Sequence, residues 1–287
     1  MAKDYIIQKA VEFDKINKKG RRTQDEYAQS YWWFRKYDGC CAVLKDGKTF
    51  SRTGEEYQCL NAVARYLDEL YSDYVFIGEA WWPGKGEFNK ISGAFRRQQE
   101  NDQLLFIVHD VIRREDFDRG FSPVRYRDRV CDAPHGDGEF GGRIIDAQTA
   151  FYADGQPKNW ADIQNGCNEY VKAGGYDGIV GRDPDGTWTV GAGKTGEILK
   201  VKQKLAFDLT VLEINTVKGE KTGRDVHKLV VDFRGQRLGV GSGVPHIMPD
   251  DLRVGAIVEV EAMDYSADGL LREPRYKGVR FDKTAAD

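Results

Sequence analysis

The sequence lacks any apolar run approaching the roughly 20 residues that a membrane-spanning helix needs, and it opens Met1-Ala2-Lys3-Asp4-Tyr5, without the basic-then-apolar order of a signal peptide. A cytoplasmic protein with no membrane partner is expected. Its five cysteines, Cys40, Cys41, Cys59, Cys131 and Cys167, form no C-x-x-C pair and no even set. That argues against a disulfide framework and a zinc site, and for reduced thiols acting as small apolar residues. Charge of one sign is also missing: the net charge is −3, which does not mark a bulk polyanion binder.

Aromatics at 12% and hydrophobics at 40% of 287 residues indicate a folded chain with room for one large or two ordinary domains. The cations are clustered. Lys15, Lys18, Lys19, Arg21 and Arg22 form one group, the last part of it in the loop Asn17-Lys18-Lys19-Gly20-Arg21-Arg22. Lys85, Lys90, Arg96 and Arg97 form a second, and Lys194, Lys200, Lys202 and Lys204 a third. Arg272, Arg275, Lys277, Arg280 and Lys283 form the last. Such groups either line one polyanion path or are solvated faces.

Apolar strands are expected at 40–44, 74–82, 104–108, 176–182, 188–190 and 198–202, and helices over 55–71 and 158–173, where apolar residues recur at helical spacing. Asp46-Gly47 marks a tight hairpin that returns Arg52 toward the start of its partner strand. The stretch 88–97 is polar and basic, punctuated by Gly84, Gly86 and Gly93. Residues 113–142 read as irregular, with Arg125, Arg127 and Arg129 alternating as on an exposed strand. After Lys204, short strands at 205–217, 226–234, 236–241 and 254–264, separated by loops with Gly219, Gly223, Gly235, Gly243 and Gly255, suit a small barrel such as an OB-fold. The expected class is α+β, with domains at 1–204 and 205–287.

Lys36 lies between the aromatic run Tyr31-Trp32-Trp33-Phe34 and an apolar strand, with Asp38 and Gly39 just after it. A desolvated lysine is a nucleophile once neutral. Glu79, inside an apolar strand, needs a cation, a ligand or a metal. Lys200 and Lys202 have strand spacing and so share a face.

The chain resembles short bacteriophage-type ATP-dependent DNA ligases, which belong to the covalent nucleotidyltransferases. The resemblance rests on Lys36-Tyr37-Asp38-Gly39 (K-x-D-G), Ser51-Arg52, Ile77-Gly78-Glu79, Asp177-Gly178-Ile179-Val180-Gly181-Arg182 and Leu199-Lys200-Val201-Lys202. Phe88-Asn89-Lys90-Ile91-Ser92-Gly93 and the ending Leu271 to Lys283 extend it over nearly the whole chain. It implies an antiparallel-sheet adenylation domain followed by an OB-fold barrel. Lys36 would take AMP from ATP, pass it to the 5′-phosphate of a nick in duplex DNA, and the 3′-hydroxyl would displace it.

The resemblance assigns ATP or AMP contacts to Arg52, Glu79, Phe106, Arg182, Lys200 and Lys202, with Phe106 stacked on adenine and His109 the second candidate for that face. Asp177 and Glu79 would hold Mg²⁺ (or Mn²⁺). Arg280, Asp282 and Lys283 form the pyrophosphate motif, and Arg52, Arg96, Arg97, Arg275 and Lys277 would meet DNA. Lys36 is expected to be neutral, its pKa lowered by Lys200, Lys202 and a metal. With only 35 residues before Lys36 there is no room for the domain that NAD-dependent ligases place there, so ATP is favoured; a monomer is expected. An RNA ligase or an mRNA-capping guanylyltransferase is the alternative. Four positions depart from the pattern: Phe34 where glutamate is usual, Cys41 where arginine is usual, Asp177 for glutamate and Arg182 for lysine.

Overall fold

The computed structural model describes residues 4–19, 21–84, 87–131, 139–151, 155–191, 193–203, 205–218, 223, 225–266 and 268–286. Gly20, Lys85, Gly86, Lys204 and Gly219, named above, lie outside them. The chain divides into two compact units, Met1–Lys202 and Gln203–Asp287.

The first unit begins with an extended segment and α1 (Gln24–Ser30), whose start is fixed by a reciprocal Thr23–Glu26 capping box. Then come β1 (Trp32–Tyr37), β2 (Cys40–Lys45), β3 (Lys48–Ser51), β4 (Glu56–Tyr57), α2 (Asn61–Leu70), β5 (Tyr74–Trp81), α3 (Phe88–Arg96), β6 (Leu105–Arg113) and α4 (Arg114–Arg119). They are followed by β7 (Phe121–Ser122), α5 (Tyr126–Cys131), the short α6 (Glu139–Gly142), β8 (Ile144–Asp146), α7 (Trp160–Ala173), β9 (Tyr176–Arg182), β10 (Trp188–Thr189) and β11 (Ile198–Val201). The arginines at 125, 127 and 129 therefore do not form a strand: 127 and 129 lie on α5. Arg125 and Arg127 both reach Asp185, and Arg129 turns inward. The stretch 88–97 is mostly helix, with Ile91, Ser92, Ala94 and Phe95 buried.

A six-stranded sheet in the order β4-β3-β2-β5-β6-β8 and a three-stranded sheet β1-β9-β11 organise this unit; all pairs are antiparallel except β6–β8. Period-two alternation sorts the side chains of the larger sheet. Ala42, Leu44, Phe76, Ala80 and Phe106 join the core beneath α2 and α3. The other face carries Val43, Val75, Ile77 and Ile112, capped by Trp188. In the smaller sheet, Trp33, Ile179 and Leu199 pack with Ile163 and Cys167 of α7. Complete burial of each such aliphatic side chain contributes about 1.5–3 kcal/mol, so alternation fixes which residues are left to face outward. The β2–β3 hairpin turns at Asp46 and Gly47, with φ of 54° and 68°, the left-handed pair an Asp-Gly turn adopts.

The second unit holds the antiparallel sheet β14-β13-β12-β15-β18, from β12 (Leu205–Lys218), β13 (Asp225–Phe233), β14 (Gln236–Val240), β15 (Ile257–Ala262) and β18 (Arg275–Val279). The small pair β16 (Asp264–Tyr265) and β17 (Leu271–Arg272) completes it. Its core is Leu209, Val211, Leu229, Val231, Phe233, Val240, Val258 and Val260, the inward set of the alternating strands. The whole is α+β with mostly antiparallel sheets. Among the described residues no helix is long and apolar enough to cross a membrane.

Candidate active site

Lys36 is the penultimate residue of β1 and pairs with Gly178 of β9. Tyr37, next to it, anchors the strand end: it is buried and meets the rings of Trp81 at 5.1 Å and Tyr176 at 5.3 Å. Directly opposed residues share a face. Trp32, Phe34 and Lys36 of β1 thus stand on one side with Val180 and Arg182 of β9 and Ile198 and Lys200 of β11.

Strict alternation would turn Asp177 away from this face. Gly178 breaks it: its φ is +141°, and a Cβ there would sit 2.1 Å from the Val201 carbonyl oxygen. The kink lets the Asp177 carboxylate bridge two cations, with Lys36 Nζ at 2.7 Å from Oδ1 and Lys202 Nζ at 2.7 Å from Oδ2. Burial opposes ionisation of Asp177, but Lys36 and Lys202 outweigh it and hold its pKa below the usual carboxylate value.

Glu79 comes from the other sheet. It pairs with Cys41 of β2 and Ile107 of β6 and shares their face. Burial, reinforced by Asp177 and Asp38 and only partly offset by Lys36 and Arg52, pushes its pKa up to about 8. At neutral pH Glu79 is largely protonated, a donor rather than an anion. Burial also raises the Cys41 thiol, with the Glu79 charge adding to it. Arg52, one residue past β3, is exposed and acts electrostatically on both groups.

The charge state of Lys36 differs from the expectation. Burial disfavours its cation, but Asp177, Glu79 and Asp38 together raise its pKa above the ordinary lysine value. The expected depression is seen instead at Lys200, where burial, Lys202 and Lys36 act together. The carboxylates of the site dominate Lys36 because Asp177 is in direct contact with it.

Phe106 does not line the site. It pairs with Ala80, on the face opposite Glu79, and is completely buried in the core under the helices. The residue that does turn toward the site is His109. β6 bulges there: Ile77 opposes Asp110 while Gly78 opposes Val108, leaving His109 extra. His109 keeps the face of Ile107 and Glu79, and the extra residue brings Asp110, opposite Ile77, onto that face as well. The imidazole lies 6.2 Å from the Tyr37 ring, and burial plus the charges of Arg182 and Lys36 lower its pKa to about 3, so it is neutral.

Arg182 is more constrained than expected. Its Nη1 donates to Asp110 Oδ2 at 3.0 Å. Asp110 also receives both arms of Arg129, Nε at 2.9 Å and Nη2 at 3.0 Å, and the Val111 amide at 3.0 Å. Arg129 further donates to the Val124 and Gly186 carbonyls, so most of its donors are satisfied. Tyr126 completes the group: its ring lies under Arg182 at 4.8 Å, and its hydroxyl donates to the His109 carbonyl at 3.2 Å. Asp110, Arg129 and Tyr126 escaped the sequence reading; the available signal was a carboxylate directly after the strand at 104–108.

Arg96 and Arg97 are exposed at the end of α3. In the second unit Arg275 is exposed and Lys277 bonds Glu261 at 3.1 Å. Arg280 is paired with Asp208 at 3.0 Å and Asp282 at 2.7 Å, and Lys283 reaches Asp208 at 3.3 Å. The bond from Arg280 lowers the Asp282 pKa to about 2. Among the described residues, no three His, Cys, Asp or Glu side chains cluster as a metal site.

No protein-family model matches the chain, and no curated protein does. Solved structures do, at the level of fold. Pmar-Lig_PreS3 aligns over 96% of this chain and 68% of its own, with a TM-score of 0.73 and 19% identity. A structure of the Lig E DNA ligases, described as DNA binding with a minimal scaffold, aligns over 96% and 98%, with a TM-score of 0.67 and 16% identity. The ATP-dependent DNA ligase of bacteriophage T7, in complex with ATP, aligns over 96% and 98%, with a TM-score of 0.55 and 16% identity. This chain therefore has the fold of DNA ligases.

Proposed function

We propose that this chain is an ATP-dependent DNA ligase, its first unit the adenylation domain and its second an OB-fold barrel. The observation that carries the reading is Lys36 set against Asp177 and Lys202, with Glu79 and Asp38 acting on it, in a fold shared with ligases. Lys36 first releases its ammonium proton to solvent; the neutral amine attacks the α-phosphorus of ATP, a P–N bond forms, the bond to the β-phosphate oxygen breaks, pyrophosphate leaves and a second proton passes from the nitrogen to solvent. AMP then passes to the 5′-phosphate of nicked duplex DNA, and the 3′-hydroxyl displaces it to close the strand.

Lys200 and Lys202 bind the α-phosphate and offset charge that develops on it. Arg182 offers the donors that Asp110 leaves free to the same nucleotide. Glu79, protonated, is suited to donate to a ribose hydroxyl. Adenine contact falls to His109, because Phe106 presents no surface. Arg52 takes the nick phosphate, and Arg96, Arg97, Arg275 and Lys277 contact the duplex. Arg280, Asp282 and Lys283 serve pyrophosphate; the pairs Arg280 and Lys283 make with Asp208 must then open.

Asp177 and Glu79 would hold Mg²⁺, Glu79 releasing its proton to solvent when it does so. Their two carboxyl groups suit an ion that keeps water and phosphate oxygens as its other ligands. Bound there, it supplies positive charge that offsets the carboxylates now holding Lys36 protonated. Phe88 to Gly93 and the ending Leu271 to Lys283 favour DNA over the RNA-ligase or capping alternative.

The test is mass spectrometry of the protein mixed with ATP and Mg²⁺, followed by nicked DNA or nicked RNA. One AMP adduct on Lys36 and sealing of DNA are expected, with no adduct on Lys36→Ala. An adduct that persists in that variant, or label taken only from GTP, overturns the assignment.

A further inference from the structure

The basic residues of the N-terminal segment were solvated-loop candidates in the sequence, but the structure ties that segment to the edge of the proposed site. Ile6 donates to the Arg52 carbonyl at 3.0 Å. The Gly191 amide donates to Ile7 at 2.8 Å. Val11 bridges Leu199 of β11, with bonds to Ile198 and Lys200 at 2.9 Å each. Asn17 donates to Lys194 at 2.9 Å. Residues 5–17 thus run as a strap from Arg52, past Lys200, to Lys194.

On this strap two cations share one ring. Lys9 Nζ lies 3.7 Å from the centroid of Tyr5, and the guanidinium of Arg52 lies 5.6 Å from the same centroid. Tyr5 attracts both through its ring face, yet the two positive charges repel one another. Among the described residues no carboxylate forms an ion pair with either, whereas Lys15 and Arg22 nearby in sequence are paired with Glu12 and Asp183. Lys18, Lys19 and Lys194, all exposed, continue the positive edge without ion pairs among the described residues. Two neighbouring cations pre-placed on an aromatic platform, without an ion-paired carboxylate among the described residues, are built to receive an external anion.

Resting on the ligase reading, we infer that the strap is a second DNA-phosphate track: Lys9 binds a backbone phosphate beside the one held by Arg52, and Tyr5 is the positioning residue for both. Lys18, Lys19 and Lys194 meet phosphates further along the same strand.

The experiment measures affinity for nicked duplex DNA across a salt series, using the full chain and its Lys9→Met, Lys9→Arg and Tyr5→Leu variants. Each lost phosphate contact reduces the slope of log K against log salt by about 0.9. Lys9→Met is expected to flatten the slope by about one, Lys9→Arg to keep it, and Tyr5→Leu to flatten it partly. Lys172→Met, an exposed lysine on α7, is expected to leave it unchanged. Circular dichroism melting checks that each variant folds. A wild-type slope in folded Lys9→Met overturns the inference, as does an equal loss in Lys172→Met, which would make the effect one of net charge. So does a raised KM for ATP with an unchanged slope, which would place Lys9 on the nucleotide. A wild-type protein that takes no AMP and seals no nick would instead overturn the ligase reading itself.

Discussion

Replacing Glu79 by glutamine should stabilise the first unit at high pH and leave it almost unchanged at low pH. Folding moves the pKa of Glu79 from its ordinary 4.5 to about 8, first through burial and then through the charges of Asp177 and Asp38. Between those values the folded protein holds a proton that the unfolded chain has released. The folded state therefore keeps its full advantage below pH 4.5 and loses it progressively as pH rises to about 8. At about 1.36 kcal/mol per pKa unit the ceiling on that loss is about 5 kcal/mol. Solvent reaching the half-buried side chain reduces it to roughly 3 kcal/mol. Glutamine mimics the protonated acid in shape and cannot ionise, so the variant escapes the loss. Roughly 3 kcal/mol in a unit of this size is about 6–12 °C in Tm. All six tryptophans, at 32, 33, 81, 82, 160 and 188, lie in the first unit, so their fluorescence follows its melting alone. The variant and the wild type should melt together at pH 4.5 and apart at pH 9. An offset between them that stays constant across that range would refute the assigned protonation.

Asp110→Asn leaves two buried guanidinium groups, Arg129 and Arg182, without a counter-charge and should cost about 3–5 kcal/mol, read as a fall in the same fluorescence Tm. Gly178→Ala places a methyl 2.1 Å from a carbonyl oxygen at φ +141° and should cost more than about 3 kcal/mol in urea unfolding. Adding to that loss, Lys202 should be displaced, because the carbonyl in question belongs to Val201, its chain neighbour.

Much of the fold was legible because its signals are local. The Asp46-Gly47 turn, the strand at 176–182 and the helix ending at Ala173 follow from turn chemistry and periodicity, and they appear where expected. Lys36, Glu79, Asp177 and Lys202 were legible as chemistry-bearing residues because each is a charge lodged in or beside an apolar strand, and the structure brings them together. Phe106 was placed at adenine by resemblance alone; its pairing with Ala80 turns it into the core, and the apolar run 104–108 carries no mark of which alternate residues face inward. The arginines at 125, 127 and 129 mimic a strand by spacing, yet the last of them belongs to an ion group that closes across 19 residues of chain. The charge on Lys36 was out of reach for a different reason. It is the balance of burial against three carboxylates, from β5, β9 and the turn after β1, and no spacing reports that balance.

The register of β6 also constrains how this protein can vary. The length of β6 is held by the pairs on either side of position 109. Deleting His109 would only regularise the ladder, but deleting Val111 would put Ile112 opposite Phe76, one position out of step with β5. Ile112 would then leave the face it shares with Val43, Val75 and Trp188 in a single event. Across natural or laboratory variants of this chain, substitutions should accumulate in residues 105–113 while insertions and deletions away from position 109 are purged. That length rule offers a way to pick out true relatives when so little sequence identity survives.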